Sequence, residues 1–323
     1  MSIKSKLDGV KDGILKNYSR RERGRFPFAY ALLAFPVMQF IVFYIYVNLS
    51  SFVIAFQDSN EAFTLYNFQR VFSGFFGENG KLRMELLRSM ITWAVGMFIN
   101  FPLSVLFSYV LFKRIPCHMA FRVLLYVPGM LGSVVIIKLY KYLLFVDGPV
   151  INLLQALNVN ISEELLTKGF FGYEKTQFMS ILIYGVWLGV GGNTIVLTGA
   201  LLRIPNEIFE AAKLDGVGFF REFFELAIPM IYPTLNTLII FSLAGIFTAD
   251  NGTFLFSQEG GSASTIGYRL FYEVYLISNA GVGNGNTAFG YPAALGMVIS
   301  AVTIPIVLIL RPILEKHLEA VGY

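Results

Sequence analysis

The sequence predicts an all-helical, multi-pass membrane bundle of six spans, and three observations predict it. Of its 323 residues, 55% are hydrophobic and 14% charged, whereas soluble domains carry about 25% charged residues; mean hydropathy is +0.63. The apolar residues gather into six blocks, each close to the roughly 20 residues that cross a bilayer core at about 1.5 Å per residue. Lys and Arg concentrate in alternate connections between those blocks. The same figures exclude an ordinary soluble enzyme, a disordered chain, a collagen-like repeat and a disulfide scaffold. The single cysteine, Cys117, has no intrachain partner.

The six blocks lie at 29–49, 89–112, 121–145, 178–202, 230–249 and 288–310. A basic segment over 1–28 precedes the first span, the six-span domain occupies 29–311, and a tail follows over 312–323. The charged stretch and the length of the first block do not fit a cleavable signal peptide, so the first span is expected to stay as an anchor. Ile3, Leu7, Val10 and Ile14 recur at helical spacing and suggest a short amphipathic helix on the membrane surface, weakened by Gly9 and Gly13.

Orientation follows from the cations. Residues 1–28, the 113–122 loop, the 203–229 loop and the C-terminus hold 16 of the 25 Lys and Arg residues. By the positive-inside rule both termini are cytoplasmic, consistent with an even number of spans. Arg20, Arg21, Arg23 and Arg25, with Lys113, Arg114 and Arg122, are the sharpest contributors. Anionic lipid accounts for such juxtamembrane arginines, and no nucleic-acid partner is expected.

Several chemistries lack their residues. There is no GxxxxGK[ST] phosphate loop; Gly77-Glu78-Asn79-Gly80-Lys81 has the wrong spacing. His118 and His317 are the only histidines, HExxH and CxxC are absent, and no metal site is expected. GxSxG is missing too, so no catalytic residue is assigned.

The informative stretch runs from Arg203 to Pro229 and reads as two short helices joined by a turn. Asn206 after Pro205 is the expected N-cap, Glu207 suits the positive helix end, and Asp215-Gly216 supplies the stop. Ala211 and Ala212 leave a low-relief surface on which another protein can approach, with the Glu210 carboxylate available to its cations. Phe219, Phe220, Phe223 and Phe224 are expected to form one broad face packed beneath the bundle, and Pro229 to open span five.

This stretch resembles a family signature: EAA, three residues, G, nine residues, I-x-L-P, the cytoplasmic loop of permease subunits in binding-protein-dependent ABC importers. It stands here as Glu210-Ala211-Ala212, Gly216, Leu226, Ile228 and Pro229, with Leu226 and Ile228 exchanging one aliphatic for another. Asp215 before Gly216 is similar to the sugar-importer form. So are Ser51-Phe52 to Phe56-Gln57-Asp58, Tyr66 to Phe72, Pro128 with Ser133-Val134-Val135, and Gly148 to Asn152, which look like maltose-type permeases.

The resemblance implies a type I ABC importer permease fold, with 203–229 as a coupling loop docking on a separate ATPase. It implies a second permease, homologous or identical, two cytoplasmic ATPase subunits that hold ATP and Mg, and an extracytoplasmic binding protein delivering a sugar or oligosaccharide. No cofactor is expected in this chain, whose place would be a prokaryotic plasma membrane.

Polar residues inside spans are costly and face a cavity or another helix. The substrate-pathway candidates are Asn100, Trp187, Asn193, Thr194, Asn236, Ser242 and Thr248, and for any one of them interhelical hydrogen bonding is the competing reading. Gln39 shares that position in span one. Gly189, Gly191 and Gly192 mark either a loosened helix or a close helix contact. Trp187 and Tyr184 offer rings to a sugar face, while Lys138 and Lys141 are expected to snorkel to headgroups. Three alternatives stay open: a permease for a non-carbohydrate solute, an ion-coupled secondary transporter and a membrane-embedded enzyme. The second needs a paired intramembrane charge or an inverted repeat, and neither is legible.

Overall fold

The computed structural model describes residues 26–57, 62–78, 80–257, 261–280 and 288–320. The basic N-terminal cluster and the amphipathic pattern from Ile3 to Ile14 lie outside the described residues, as does the end of the C-terminal tail. Five helices are long and apolar enough to span: α1 (Tyr30–Ala55), α3 (Lys81–Phe112), α8 (Glu174–Leu201), α10 (Phe219–Ala244) and α13 (Gly290–Lys316). The third apolar block forms a bent pair, α4 (His118–Met130) and α5 (Ser133–Leu143), which together are long and apolar enough for a broken span or a re-entrant loop. Shorter helices fill the connections: α2 (Tyr66–Phe76), α6 (Pro149–Ala156), α7 (Glu163–Gly172), α9 (Asn206–Leu214), α11 (Thr253–Phe256) and α12 (Ile266–Ala280).

The third block departs from the expected straight span. Its two halves meet at 112°, with Leu131 and Gly132 extended at ψ 146° and 136°. Pro128 inside α4 removes a donor, and Gly129 and Gly132 weaken the helix around the break. The apolar residues of α5 go into packing instead: Ile136 and Ile137 are buried with Ile181, Tyr184 and Phe256.

Span four is one uninterrupted helix, so its glycines mark no loosening, and Gly189 and Gly191 mark close contact. A Cβ at Gly191 would overlap the Leu125 carbonyl of α4, and one at Gly189 would overlap the Asn100 amide of α3. Without those methyls α8 lies directly against both neighbours, at the centre of the bundle. The bundle has a core at each end. Val105, Tyr109, Leu197, Leu201, Phe209, Phe223 and Ile231 form one. Val71, Leu82, Phe247, Ile266 and Leu295 anchor the other, together with Ala55 at the end of α1.

The first span is almost wholly exposed from Phe28 to Val53. Such a length of bare aromatic and aliphatic surface suits contact with lipid or another protein, not water.

Candidate functional site

Helix α9 is held by its two ends. The expected Asn206 cap is not made: Pro205, at φ −56° and ψ 134°, takes the cap position, Asn206 is already helical, and no side chain bonds the first turn. Proline's fixed φ sets the entry in place of a side-chain oxygen; Ile208 N–H donates to the Pro205 carbonyl at 3.3 Å. The stop is as expected. Gly216 sits at φ +71°, its N–H donates to the Lys213 carbonyl at 3.1 Å, and Val217 N–H donates to that of Ala212 at 3.0 Å. Those two bonds are the Schellman pattern, which needs a left-handed residue where glycine stands.

The helix turns Phe209 and Ala212 inward, each 5% exposed, and leaves Glu210, Ala211, Lys213, Asp215 and Gly216 outside. Ala212 therefore lets α9 lie close on its own bundle, and the low-relief outer surface rests on Ala211 alone. Leu214, 90% exposed at the tip, was not singled out by pattern; its signal is a leucine on the polar side of an amphipathic helix. A cavity of about 710 Å³ opens beside α9, lined by Lys113, Arg114, Arg203, Asn206, Glu207 and Lys213 among others.

Pro229 sits in the first turn of the regular helix Ile228–Ala244, as expected, but the span itself begins earlier. Helix α10 runs unbroken from Phe219 through Pro229, by way of a wide turn in which Ile228 N–H donates to the Phe223 carbonyl five residues back. A π turn of this kind absorbs the backbone change near a proline. Leu226, Ile228 and Pro229 are half-buried, with Leu226 and Ile228 packed on the core under α9. The four phenylalanines split: Phe223 is buried, whereas Phe220 and Phe224 point outward at 71% and 62% exposure.

Beneath α9 the structure pairs two charges that sequence pattern leaves apart. Lys113, just past α3, makes an ion pair with Glu222 on α10, the side chains 18% and 5% exposed. The Lys113 Nζ lies 4.9 Å from the Phe209 ring and 5.7 Å from that of Tyr109.

The substrate-pathway candidates do not converge. Asn100 donates to the Gly185 carbonyl at 3.5 Å and accepts from the Ser104 hydroxyl at 3.3 Å. Thr194, fully buried, donates to the Val190 carbonyl at 2.6 Å. These two serve the seam between α3 and α8. Trp187 stacks on Tyr140 at 6.3 Å and meets Tyr184 edge-on at 6.4 Å, so both rings are taken up by packing. The Ser242 carbonyl accepts from the Trp93 indole at 2.9 Å. Asn236 is buried on α10, Asn193 half-buried on α8, and Thr248 exposed in a groove against α13. Gln39 is exposed on α1.

The opposite end of the bundle carries a second buried pair. Arg269 on α12 bonds both oxygens of Glu85, which is 1% exposed, and the Ser264 hydroxyl donates to the same carboxylate at 3.0 Å. Burial opposes the charge of Arg269, but the Glu85 hydrogen bond and attraction outweigh it and hold the guanidinium above its ordinary value. Each of these two pairs has one partner outside the spanning helices, Lys113 just past α3 and Arg269 on α12, so neither is a paired charge within the spans. Lys141 does not snorkel; its Nζ donates to the Phe256 carbonyl at 2.9 Å. Asp250 accepts from Thr253 and Thr265 and ties the loop after α10. Among the described residues no group of three His, Cys, Asp or Glu side chains could hold a metal.

No protein-family model matches the chain. Among curated proteins it is 26% identical over 185 residues to a probable ABC transporter permease of Bacillus subtilis, covering 57% of this chain. It is 25% identical over 308 residues to a polygalacturonan/rhamnogalacturonan transport permease of the same organism, covering 89% of this chain and 88% of that one. To a maltose/maltodextrin permease of Escherichia coli it is 28% identical over 219 residues, 67% of this chain. The matched part spans 60% of the first relative and 40% of the last. Among solved structures, a bacterial alginate ABC transporter in complex with an alginate pentasaccharide-bound periplasmic protein aligns with a TM-score of 0.71 at 18% identity. That alignment covers 90% of this chain and 94% of the other. The chain is a membrane-spanning protein with the fold of an ABC importer permease, and its sequence relatives include permeases of carbohydrate transport systems.

Proposed function

We propose that the chain is the transmembrane permease subunit of an ATP-driven importer for a sugar or oligosaccharide, delivered by an extracytoplasmic binding protein. The observation that carries this reading is α9: a short helix seated on the end of the bundle between spans four and five by Phe209 and Ala212, its outer surface formed by Glu210, Ala211, Lys213 and Leu214. The relatives named for polysaccharide and maltodextrin transport, and the alginate neighbour with its binding protein, support the substrate class and the partner.

In this reading two cytoplasmic ATPase subunits hold ATP and Mg and dock on α9. This chain pairs with a second permease, homologous or identical, and performs no hydrolysis itself. Its place is a prokaryotic plasma membrane with both termini cytoplasmic, as the distribution of Lys and Arg supports. Closure of the ATPase pair displaces α9, and the short 215–218 link passes that displacement into the unbroken α10. Glu210, Ala211, Asp215 and Gly216 serve the contact; Leu226, Ile228 and Pro229 belong to the lever. Of the pathway candidates, Asn193, Asn236, Ser242 and Thr248 are the ones whose side chains no helix–helix hydrogen bond engages.

Reconstitution of the permease with its ATPase and binding protein in proteoliposomes tests the reading. Uptake of labelled oligosaccharide is expected to require both ATP and the binding protein. Uptake that follows an ion gradient and ignores ATP would refute it in favour of a secondary transporter.

A further inference from the structure

Two residues behind α9 are the most deeply placed charges of the region. Glu222 lies one turn into α10 and Lys113 directly follows α3. Their ion pair is enclosed by rings: Phe209 of α9 stands 5.1 Å from Phe112, and Tyr109 packs 5.1 Å from Phe219 and 5.0 Å from Phe223. The other ion pair here, Arg221 with Glu225, points outward, its side chains 69% and 64% exposed. Arg114, next to Lys113 in the chain, is exposed.

We propose that the Lys113–Glu222 pair, clasped by Phe209, is the joint through which displacement of α9 enters the bundle, Lys113 and Glu222 acting as positioning residues for coupling. The inference rests on the importer reading and goes beyond docking. An all-apolar contact lets helices slide with little change in energy at each step. A charge pair does not: Glu222 is 5% exposed, so parting it from Lys113 strands a buried carboxylate, and the joint is either closed or broken. Lys113 meets three elements at once, as the C-cap of α3, under the Phe209 ring of α9, and against Glu222 of α10. Motion of α9 thereby moves α3 and α10 together and not α10 alone.

The test uses the full permease, ATPase and binding-protein complex in proteoliposomes and reads ATP hydrolysed per sugar imported. Lys113→Met and Glu222→Gln are each expected to keep ATP hydrolysis while raising that ratio about tenfold, in the range of ordinary coupling energies. The charge exchange Lys113→Glu with Glu222→Lys is expected to restore it to within about threefold. Should the single variants fail to fold, the paired variant Lys113→Met with Glu222→Met removes both charges, a change proteins tolerate far better than removing one. It is expected to bind the ATPase and hydrolyse ATP yet import poorly. An assembled paired variant with an unchanged ratio overturns the joint and leaves the importer reading intact. Wild-type uptake indifferent to ATP overturns both.

Discussion

Replacing Gly216 with alanine isolates one variable, the sign of φ. At φ +71° a Cβ on residue 216 would meet nothing within 4 Å, so the substitution brings no clash, and its cost is conformational alone. For an L-residue forced into the left-handed region that cost is about 1–2 kcal/mol, and less for asparagine. Two residues on, Gly218 also has open space around it but sits at φ −74° and ψ 163°, extended backbone that any residue adopts. Alanine there is neutral, or slightly stabilising through the unfolded chain.

A helix of nine residues has little with which to absorb such a loss, because the Schellman bonds from residues 216 and 217 close its end. A cost of 1–2 kcal/mol shifts the closed turn about 5- to 30-fold toward opening. Titrating the ATPase subunit against reconstituted permease should therefore show Gly216→Ala binding about 5- to 30-fold more weakly. Gly216→Asn should fall between that variant and wild type, with Gly218→Ala indistinguishable from wild type. If the two alanine variants behave alike, the turn is not what holds α9 in shape and the reasoning fails.

Other substitutions probe the remainder of the molecule. Gly191→Ala forces a methyl into the Leu125 carbonyl, whereas Gly192 faces open space; overpacking predicts a loss of about 1–3 kcal/mol for the first and helix propensity a gain approaching 1 kcal/mol for the second. Thermal unfolding in detergent, with both variants expressed side by side, would expose the error if they ranked the other way. Glu85→Ala leaves Arg269 buried without its partner and should cost about 3–5 kcal/mol, most of it recovered when Arg269→Met is added; a strictly additive double variant contradicts this. Leu214→Ser should leave the melting temperature unchanged, since the side chain is 90% exposed, while weakening ATPase binding; a drop in melting temperature instead would place Leu214 in the fold.

Much of this protein was legible because it depends on residues close together in the chain. The apolar blocks mark the spans by length alone, and Asp215-Gly216 marks a helix stop because a left-handed residue is needed within one turn. Local signals also misled. Pro205-Asn206 read as a capped start, yet the proline occupies the cap; Pro229 does open the regular helix, but a wide turn joins that helix to Phe219–Glu222 ahead of it. In the third block, Pro128, Gly129 and Gly132 already stood in view, but hydropathy counts apolar residues without regard to direction and so ran a straight span across the break.

What the sequence determined by itself is the membrane habit, five of the spanning helices and the signature of α9, since composition, block length and near-neighbour spacing are properties of the linear chain. Only the tertiary structure decided that Asn100, Thr194 and Trp187 are spent on helix packing. It also decided that α5 turns 112° away from α4, and that Lys113 finds Glu222 and Glu85 finds Arg269. The physical reason is that a buried charge takes its partner from whatever the fold brings within a few ångströms. No spacing along the chain encodes that neighbour.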